Sequence, residues 1–458
     1  GPNYNVTEMG NPRSAEAWKA IKNAEQRLDR ASPVERALIK ALSTRYVERE
    51  PEDRTHLDFA YAEAMAEVWS QFPDDPDVGT LYAEAMMIKH PWKLYNRDGE
   101  VARDETNTIL TVLEKVLELE PNQPGALHLY IHALEPSDYK SRAIPAADRL
   151  SDLVPASGHL RHMPSHIYAQ VGMWDRSIEQ NEKAIAADDK YRELVADPGM
   201  HTGYMAHNAH MLSFSAMMVG KEEQAMMAAA KMKEGISPIL IMLFGQFIDP
   251  MMGTRYDVMK RFGRWDEILK EPAPSGNLPI TTAVWRAHRA IALAAKKEFD
   301  EARREQDRFR SAMSKAISSN EGDFYGSATM FLLTSELFVE GELLLQEGKW
   351  EEAAYVLEDA VAIEDTLGYG EPPRWVQPAR HALGAVYMKW ERFDEAERVY
   401  REDLDKWPGN GWSLFGLARA LEEQGKTAEA DSVRRQFEKA WAHADEPLET
   451  SCKCVPKL

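Results

Sequence analysis

The sequence predicts an all-α fold, a right-handed α-solenoid of helix-turn-helix repeats, and three observations carry that expectation. Helix-start signals recur along the chain. The strict apolar/polar alternation that a half-buried strand requires is almost absent. Apolar and small residues return at an interval of 34 positions, a sign of stacked structural repeats. With 44% hydrophobic residues in 458, the chain has the material for a large core or several.

The start signals open the chain. Ser32-Pro33-Val34-Glu35 joins an N-cap serine, a proline at the first helical position, where its missing N–H is not needed, and a glutamate placed to reach back to the cap. Asp75-Pro76 and Gln123-Pro124 repeat this logic ahead of apolar residues spaced three and four apart. Leu81, Ala85 and Ile88 follow the first, and Leu127, Tyr130, Ile131 and Leu134 the second. Residues 14 to 119 read as about five helices with irregular spacing.

The 34-residue interval is clearest near the other end. Counting back from Pro408, a frame at Gln377 puts Leu383, Gly384, Tyr387, Phe393, Ala396 and Tyr400 at packing positions. A frame at Gly411 repeats the arrangement with Leu414, Leu417, Leu421, Gly425 and Ala430. Further frames start at Thr334, Ala283, Asp249, Ala206, Gly158 and Pro124. Each helix pair in such a stack leaves an apolar face that only the next pair covers, and small residues let the pairs approach. The interval is that of the tetratricopeptide repeat, and residues 124 to 444 resemble that superfamily. The chain divides on this reading into irregular helical repeats (1–123), histidine-rich repeats (124–239), C-terminal repeats (240–445) and a tail (446–458).

Eight of the thirteen histidines lie between Pro124 and Met211. In repeats of this kind, positions 2, 5, 9 and 12 of the first helix form one stripe, lining a concave groove. His128, His132 and Glu135 occupy positions 5, 9 and 12 of the Pro124 frame; His159, His162 and His166 occupy 2, 5 and 9 of the Gly158 frame; His207 and His210 occupy 2 and 5 of the Ala206 frame. His201 falls in an insertion before that last frame. Packed helices about 8 to 10 Å apart let such side chains converge. Imidazole suits zinc, copper and iron, so the spacing predicts a divalent transition-metal site built from His128, His132, His162, His166, His207, His210 and Glu135. Glu135 serves either as ligand or as acceptor of a ring proton. Pro164 suits a helix start, which makes His162 the less secure of the His162/His166 pair. A single histidine also fits an ordinary hydrogen-bonded packing role. The methionines of 211 to 232 read as adaptable packing.

His159, Tyr168, Glu371, Arg374, Trp375, His381, Trp412 and Phe415 are candidates for holding a peptide or small molecule in the groove. Trp375 and Trp412 fit equally well as plugs of the interior. If the stack curls far enough, its C-terminal end faces the histidines and closes a pocket.

The strings HLYIHALE at 128–135, HMPSHIY at 162–168, YGEPPRW at 369–375 and NGWSLFGLARAL at 410–421 are similar to those of a bacterial family of tetratricopeptide repeat proteins with a histidine-rich middle. The resemblance implies a further helix before a segment like Gly1-Pro2-Asn3.

A net charge of −20 with no basic run argues against nucleic acid. The longest apolar stretch, Ile236 to Ile248, is broken by Pro238, Gly245 and Gln246 and is too short to span a bilayer. Cys452 and Cys454, the only cysteines, exclude a disulfide framework and are too few for a zinc site of their own; they read as tail thiols without structural role. A chain beginning at Gly1 rather than Met is compatible with an exported, processed, soluble protein. No Gly-rich phosphate loop, Ser/His/Asp motif or CxxC occurs. Three functions follow as expectations: a binding solenoid with a metal in its groove, a metal-dependent hydrolytic or oxidative enzyme, and a structural protein that self-assembles through its end faces.

Overall fold

The computed structural model describes residues 1–6, 9–97, 99–195, 197–234, 236, 238–275, 278–319 and 327–455. Among them there is no β-strand, only one isolated bridge between Tyr95 and Val101, and everything regular is helical. The start signals work as their chemistry requires. Ser32 Oγ accepts the Glu35 amide while the Glu35 carboxylate accepts the Ser32 amide at 2.7 Å, and Pro33–Leu42 begins there. Asp75 accepts the amides of Asp77 and Val78, and Gln123 that of Ala126.

The chain divides into two compact units, Gly1–Val154 and Pro155–Leu458. The first runs through helices Asn11–Glu25, Pro33–Leu42, Thr55–Gln71, Pro76–Lys89, Asp104–Leu119, Pro124–Leu134 and Ile144–Leu150. Neighbours in sequence pack together, with Tyr61, Met65, Val68, Val78 and Ala85 forming one core cluster.

The second unit is a succession of helix pairs. Gly158–His162 and Pro164–Gln170 together precede Trp174–Leu194; His201–Met218 pairs with Glu222–Lys231. After Pro238–Met251 come Thr254–Arg261 with Trp265–Lys270 and Pro279–Ala295 with Phe299–Ser319. Ser327–Gln346 with Trp350–Asp365, Ala379–Lys389 with Phe393–Lys406, and Gly411–Glu423 with Thr427–Ala440 complete the series. The frames at Gly158, Gln377 and Gly411 start at or within two residues of a helix. The Ala206 frame begins inside one: His201, expected in an insertion, is the first residue of its helix. The Asp249 frame starts near the end of Pro238–Met251, and the pair itself begins at Thr254.

A backbone signature marks the turn inside each pair. Gly172, Gly220, Gly263, Lys297, Gly348, Glu391 and Gly425 all have positive φ, the conformation a glycine adopts without a Cβ penalty. Small residues act by close approach, Gly384 within its pair and Gly416 between pairs: a Cβ on either would come within 2.4 Å of ring atoms of Tyr400, itself fully buried.

The unit closes on itself. Trp174 donates its indole N–H to the Pro408 carbonyl at 2.8 Å, and Trp412 donates to the Met217 carbonyl at 2.8 Å. The rings of Trp174, Phe214 and Trp407 meet edge-on or tilted, 5.3 to 6.4 Å apart. Asp445 donates its amide to Gly220 and accepts the Glu223 amide with its carboxylate. The first pairs of the unit therefore touch the last, which is the curl the sequence reading required.

Charged groups lie buried in this unit. Arg261 donates to His381 Nδ1 at 2.8 Å and stacks 3.6 Å over the Trp412 ring. Because an arginine only donates, His381 accepts at Nδ1 and donates from Nε2 to Asp403 at 2.8 Å. Residues 446–455, expected to be a loose tail, are built in. Cys452 and Cys454 are buried and joined by a disulfide, Ser451 Oγ meets the Tyr400 hydroxyl at 2.6 Å, and Gln346 donates to the Cys454 carbonyl. The reading of these cysteines as free tail thiols without structural role is thus corrected. Two residues cannot reveal from sequence what closes over them. Among the described residues no helix is long and apolar enough to cross a membrane.

Candidate metal centre

The histidines of the second unit come from two neighbouring first helices. In the first of these, Pro164 interrupts the hydrogen-bond ladder, but Met163 keeps helical dihedrals (φ −48°, ψ −41°). The rise of four residues per stacked pair survives across the proline. His162 and His166 therefore do face each other, contrary to the expectation that Pro164 unsettles His162. Their Nε2 atoms are 2.6 Å apart, and both rings are essentially inaccessible. His207, on His201–Met218, brings its ring to 4.6 Å from that of His162 and 5.6 Å from that of His166. One nitrogen from each of the three lies within 4.8 Å of the others.

The second ring nitrogens decide the protonation pattern. His162 Nδ1 stands 2.6 Å from Asn181 Oδ1. The Asn181 amide is oriented by its own donor, since Nδ2 donates to the Ser177 carbonyl at 2.8 Å, leaving Oδ1 to accept from His162. His166 Nδ1 stands 2.6 Å from Glu371 Oε2, a carboxylate that also accepts from the Tyr369 hydroxyl at 2.9 Å. Each Nδ1 therefore carries a proton, and the two Nε2 atoms meet at hydrogen-bond distance, 2.6 Å.

Burial favours the uncharged form of His162, His207 and His210. It holds His162 well below the ordinary imidazole value, with the neighbouring His166 and His207 adding to the effect. It lowers His207 to about 3 although Glu371 pulls the other way, and it lowers His210 to about 4. Neutral imidazole is the metal-ligating form.

The remaining candidates separate by place. In the first unit, His132 Nδ1 donates to Glu135 Oε1 at 2.6 Å, so Glu135 takes the ring-proton role rather than a free ligand's, and the His128 ring lies 4.7 Å from that of His132. His210 lies one turn beyond His207 and outside the converging trio. His159 packs against Tyr204, ring centroids 4.8 Å apart. Tyr168 is fully buried and accepts from Arg176 at 2.6 Å. Trp375 is buried against Phe331 and Phe338, and His381 and Trp412 are wholly interior, which for the two tryptophans is the plugging role. Phe415 is partly buried against Phe437, and Arg374 is partly buried in the loop after Glu371.

Asn181 was not anticipated. Its signal was present: on Trp174–Leu194 it shares the inward face with Ser177, Ile178, Ala184 and Asp188, and a carboxamide on a buried stripe needs a polar partner.

Fold and site together define a class: an all-α chain of helix pairs with converging imidazoles. Residues 379–411 match the tetratricopeptide repeat family model, the stretch that the Gln377 frame covers. No curated protein matches the sequence. Among solved structures, the chain is similar to the human IFIT1 dimer with m7Gppp-AAAA at 13% identity and a TM-score of 0.34, covering 95% of this chain and 87% of that one. It is similar to yeast Tom70 at 12% identity and a TM-score of 0.32, covering 86% and 90%. It is also similar to Naa15/Naa10 bound to HypK-THB at 11% identity and a TM-score of 0.31, covering 94% of this chain. The chain spans 64% of the length of that last relative.

Proposed function

We propose that this chain is a helical-repeat binding protein whose Pro155–Leu458 unit holds a divalent transition-metal ion between His162, His166 and His207. The observation that carries the reading is the convergence of one nitrogen from each of three imidazoles within 4.8 Å, two of them turned by an oxygen acceptor behind the ring. A proton shared between the His162 and His166 Nε2 atoms is the competing occupant. A zinc, copper or iron ion at about 2.0–2.1 Å from each nitrogen replaces that proton after a small opening of the pair. Glu371 and Asn181 then act as the outer groups that set ring orientation and raise ligand basicity. His128, His132 and Glu135 give the first unit a smaller set of the same chemistry.

The partner on this reading is a peptide or small molecule taken up by the repeat surface, the usual use of stacked helix pairs. This reading includes the narrower likeness to histidine-rich bacterial tetratricopeptide proteins, and end-to-end self-assembly is the structural variant. A second reading, a metal-dependent enzyme, is favoured by the number of converging imidazoles. Three protein ligands backed by a carboxylate leave a coordination position for water or substrate, as catalytic zinc sites do.

Elemental analysis of the protein purified without chelators tests the proposal. We expect about one transition-metal ion per chain, lost in a His166→Ala/His207→Ala double variant whose helical circular dichroism is intact. Less than about a tenth of an equivalent in the folded wild-type protein, after exposure to the metal and dialysis, would falsify it.

A further inference from the structure

The segment that carries the two cysteines lies against a buried ion pair. Cys452 and Cys454 are 1% and 2% exposed, and Glu342, on Ser327–Gln346, is 1% exposed. One carboxylate oxygen of Glu342 and the two sulfurs lie within 4.8 Å of one another. Lys260, 3% exposed, reaches Glu342 Oε1 at 2.7 Å, donates to Gln377 at 3.0 Å and sits 3.7 Å over the Phe338 ring. Glu342 Oε2 is buried and accepts no hydrogen bond among the described residues. A carboxylate oxygen left in that state inside a protein calls for a partner.

We propose that Cys452 and Cys454, once reduced, join Glu342 in a second metal site, specific for a divalent zinc-type cation and shut off when the two sulfurs form their disulfide. Thiolate is the donor that borderline-soft cations prefer, and a carboxylate completes sulfur-containing zinc sites. Charge selects the valence. With the disulfide formed, the buried set is neutral: Glu342 carries −1 and Lys260 +1. With a dication bound to two thiolates, the set is neutral again, because the ion replaces two thiol protons. A monovalent ion would leave one negative charge uncompensated in the interior, which is costly.

The chemistry balances. A small dithiol, or a protein dithiol, transfers two electrons and two protons to the Cys452–Cys454 disulfide and is itself oxidised to a disulfide. The cation then displaces the two thiol protons to solvent and bonds to both sulfurs. A small-molecule disulfide reverses the sequence: it takes two electrons from the two thiolates and two protons from solvent to become two thiols, the Cys452–Cys454 bond re-forms, and the ion is released. Sequence alone could not supply Glu342, which is more than a hundred positions away.

Cobalt(II) is the probe, since thiolate-to-cobalt charge transfer in the near ultraviolet reports sulfur ligation and imidazole ligation does not produce it. The full chain is titrated with cobalt, as purified and after reduction by a phosphine that does not bind the metal. The expected result is about one added equivalent of cobalt with the thiolate band in the reduced protein, and no such band in the oxidised protein or in Cys454→Ser. Glu342→Gln should weaken that binding at least about tenfold. Reduced wild-type protein without the band, or a band of equal strength before reduction, overturns the proposal, and neither readout depends on a variant folding. Loss of metal from the imidazole centre leaves the band untouched, so the two proposals fail separately.

Discussion

At the scale of single residues, the candidate centre turns on groups that never touch the ion it would hold. Asn181 fixes which nitrogen of His162 carries the proton, and it can do so only because Ser177 fixes Asn181. Replacing Asn181 by alanine should lower affinity at the imidazole centre about 10- to 100-fold while leaving helicity unchanged. Competition against a chelator of known affinity measures this; an unchanged affinity would mean that the ring orients without help. The histidines themselves were legible, because a stripe on one helix face follows directly from 3.6 residues per turn. Their orienting partners were not. Glu371 reaches His166 from a loop two hundred residues later, through a closure that no local pattern encodes. Asn181 sits on the second helix of its pair, away from the positions that the groove arithmetic singles out.

At the scale of elements, the repeat is written in the turns. Gly263 to Lys297 and Glu391 to Gly425 are each separated by 34 residues, and at the second interval the frames at Gln377 and Gly411 fit the helix starts. Gly172 to Gly220 is longer because Trp174–Leu194 has 21 residues where Phe393–Lys406 has 14, and a linker follows it. Counting by a fixed period fails where a helix gains turns, since packing fixes the start of each pair and not its length. Two of these turns use a side chain where five use glycine. The Cβ of a residue built at Gly425 meets nothing within 4 Å, so the cost of Gly425→Ala is purely backbone, about 1 kcal/mol of destabilisation. Glu391→Gly should relieve a penalty of about the same size. Denaturant midpoints of the two variants should move in opposite directions, and a shift of the same sign in both would remove the argument.

At the scale of the whole molecule, closure distinguishes the Pro155–Leu458 unit. In an open stack, each repeat interacts only with its neighbours, so unfolding can begin at either end. Here Trp412 is fully buried and spans the join through its bond to Met217. Trp412→Ala leaves a void and removes that bond, and should destabilise the Pro155–Leu458 unit by about 3–5 kcal/mol. In the wild-type protein, probes placed near Trp174 and near Tyr400 should melt together; two separated transitions would show that the ends are not tied. The helix content and the 34-residue rhythm were readable in advance, but the closing contacts were not, because they join indole N–H groups to backbone carbonyls that carry no sequence signature. The join also has a mechanical meaning. A free coil of helix pairs lengthens under tension as a spring does, by small rotations shared among all its turns. A coil clasped by Trp174 on Pro408 and Trp412 on Met217 cannot lengthen until the clasp parts, so a pulling force across it meets a stiff loop first and a compliant one only afterwards.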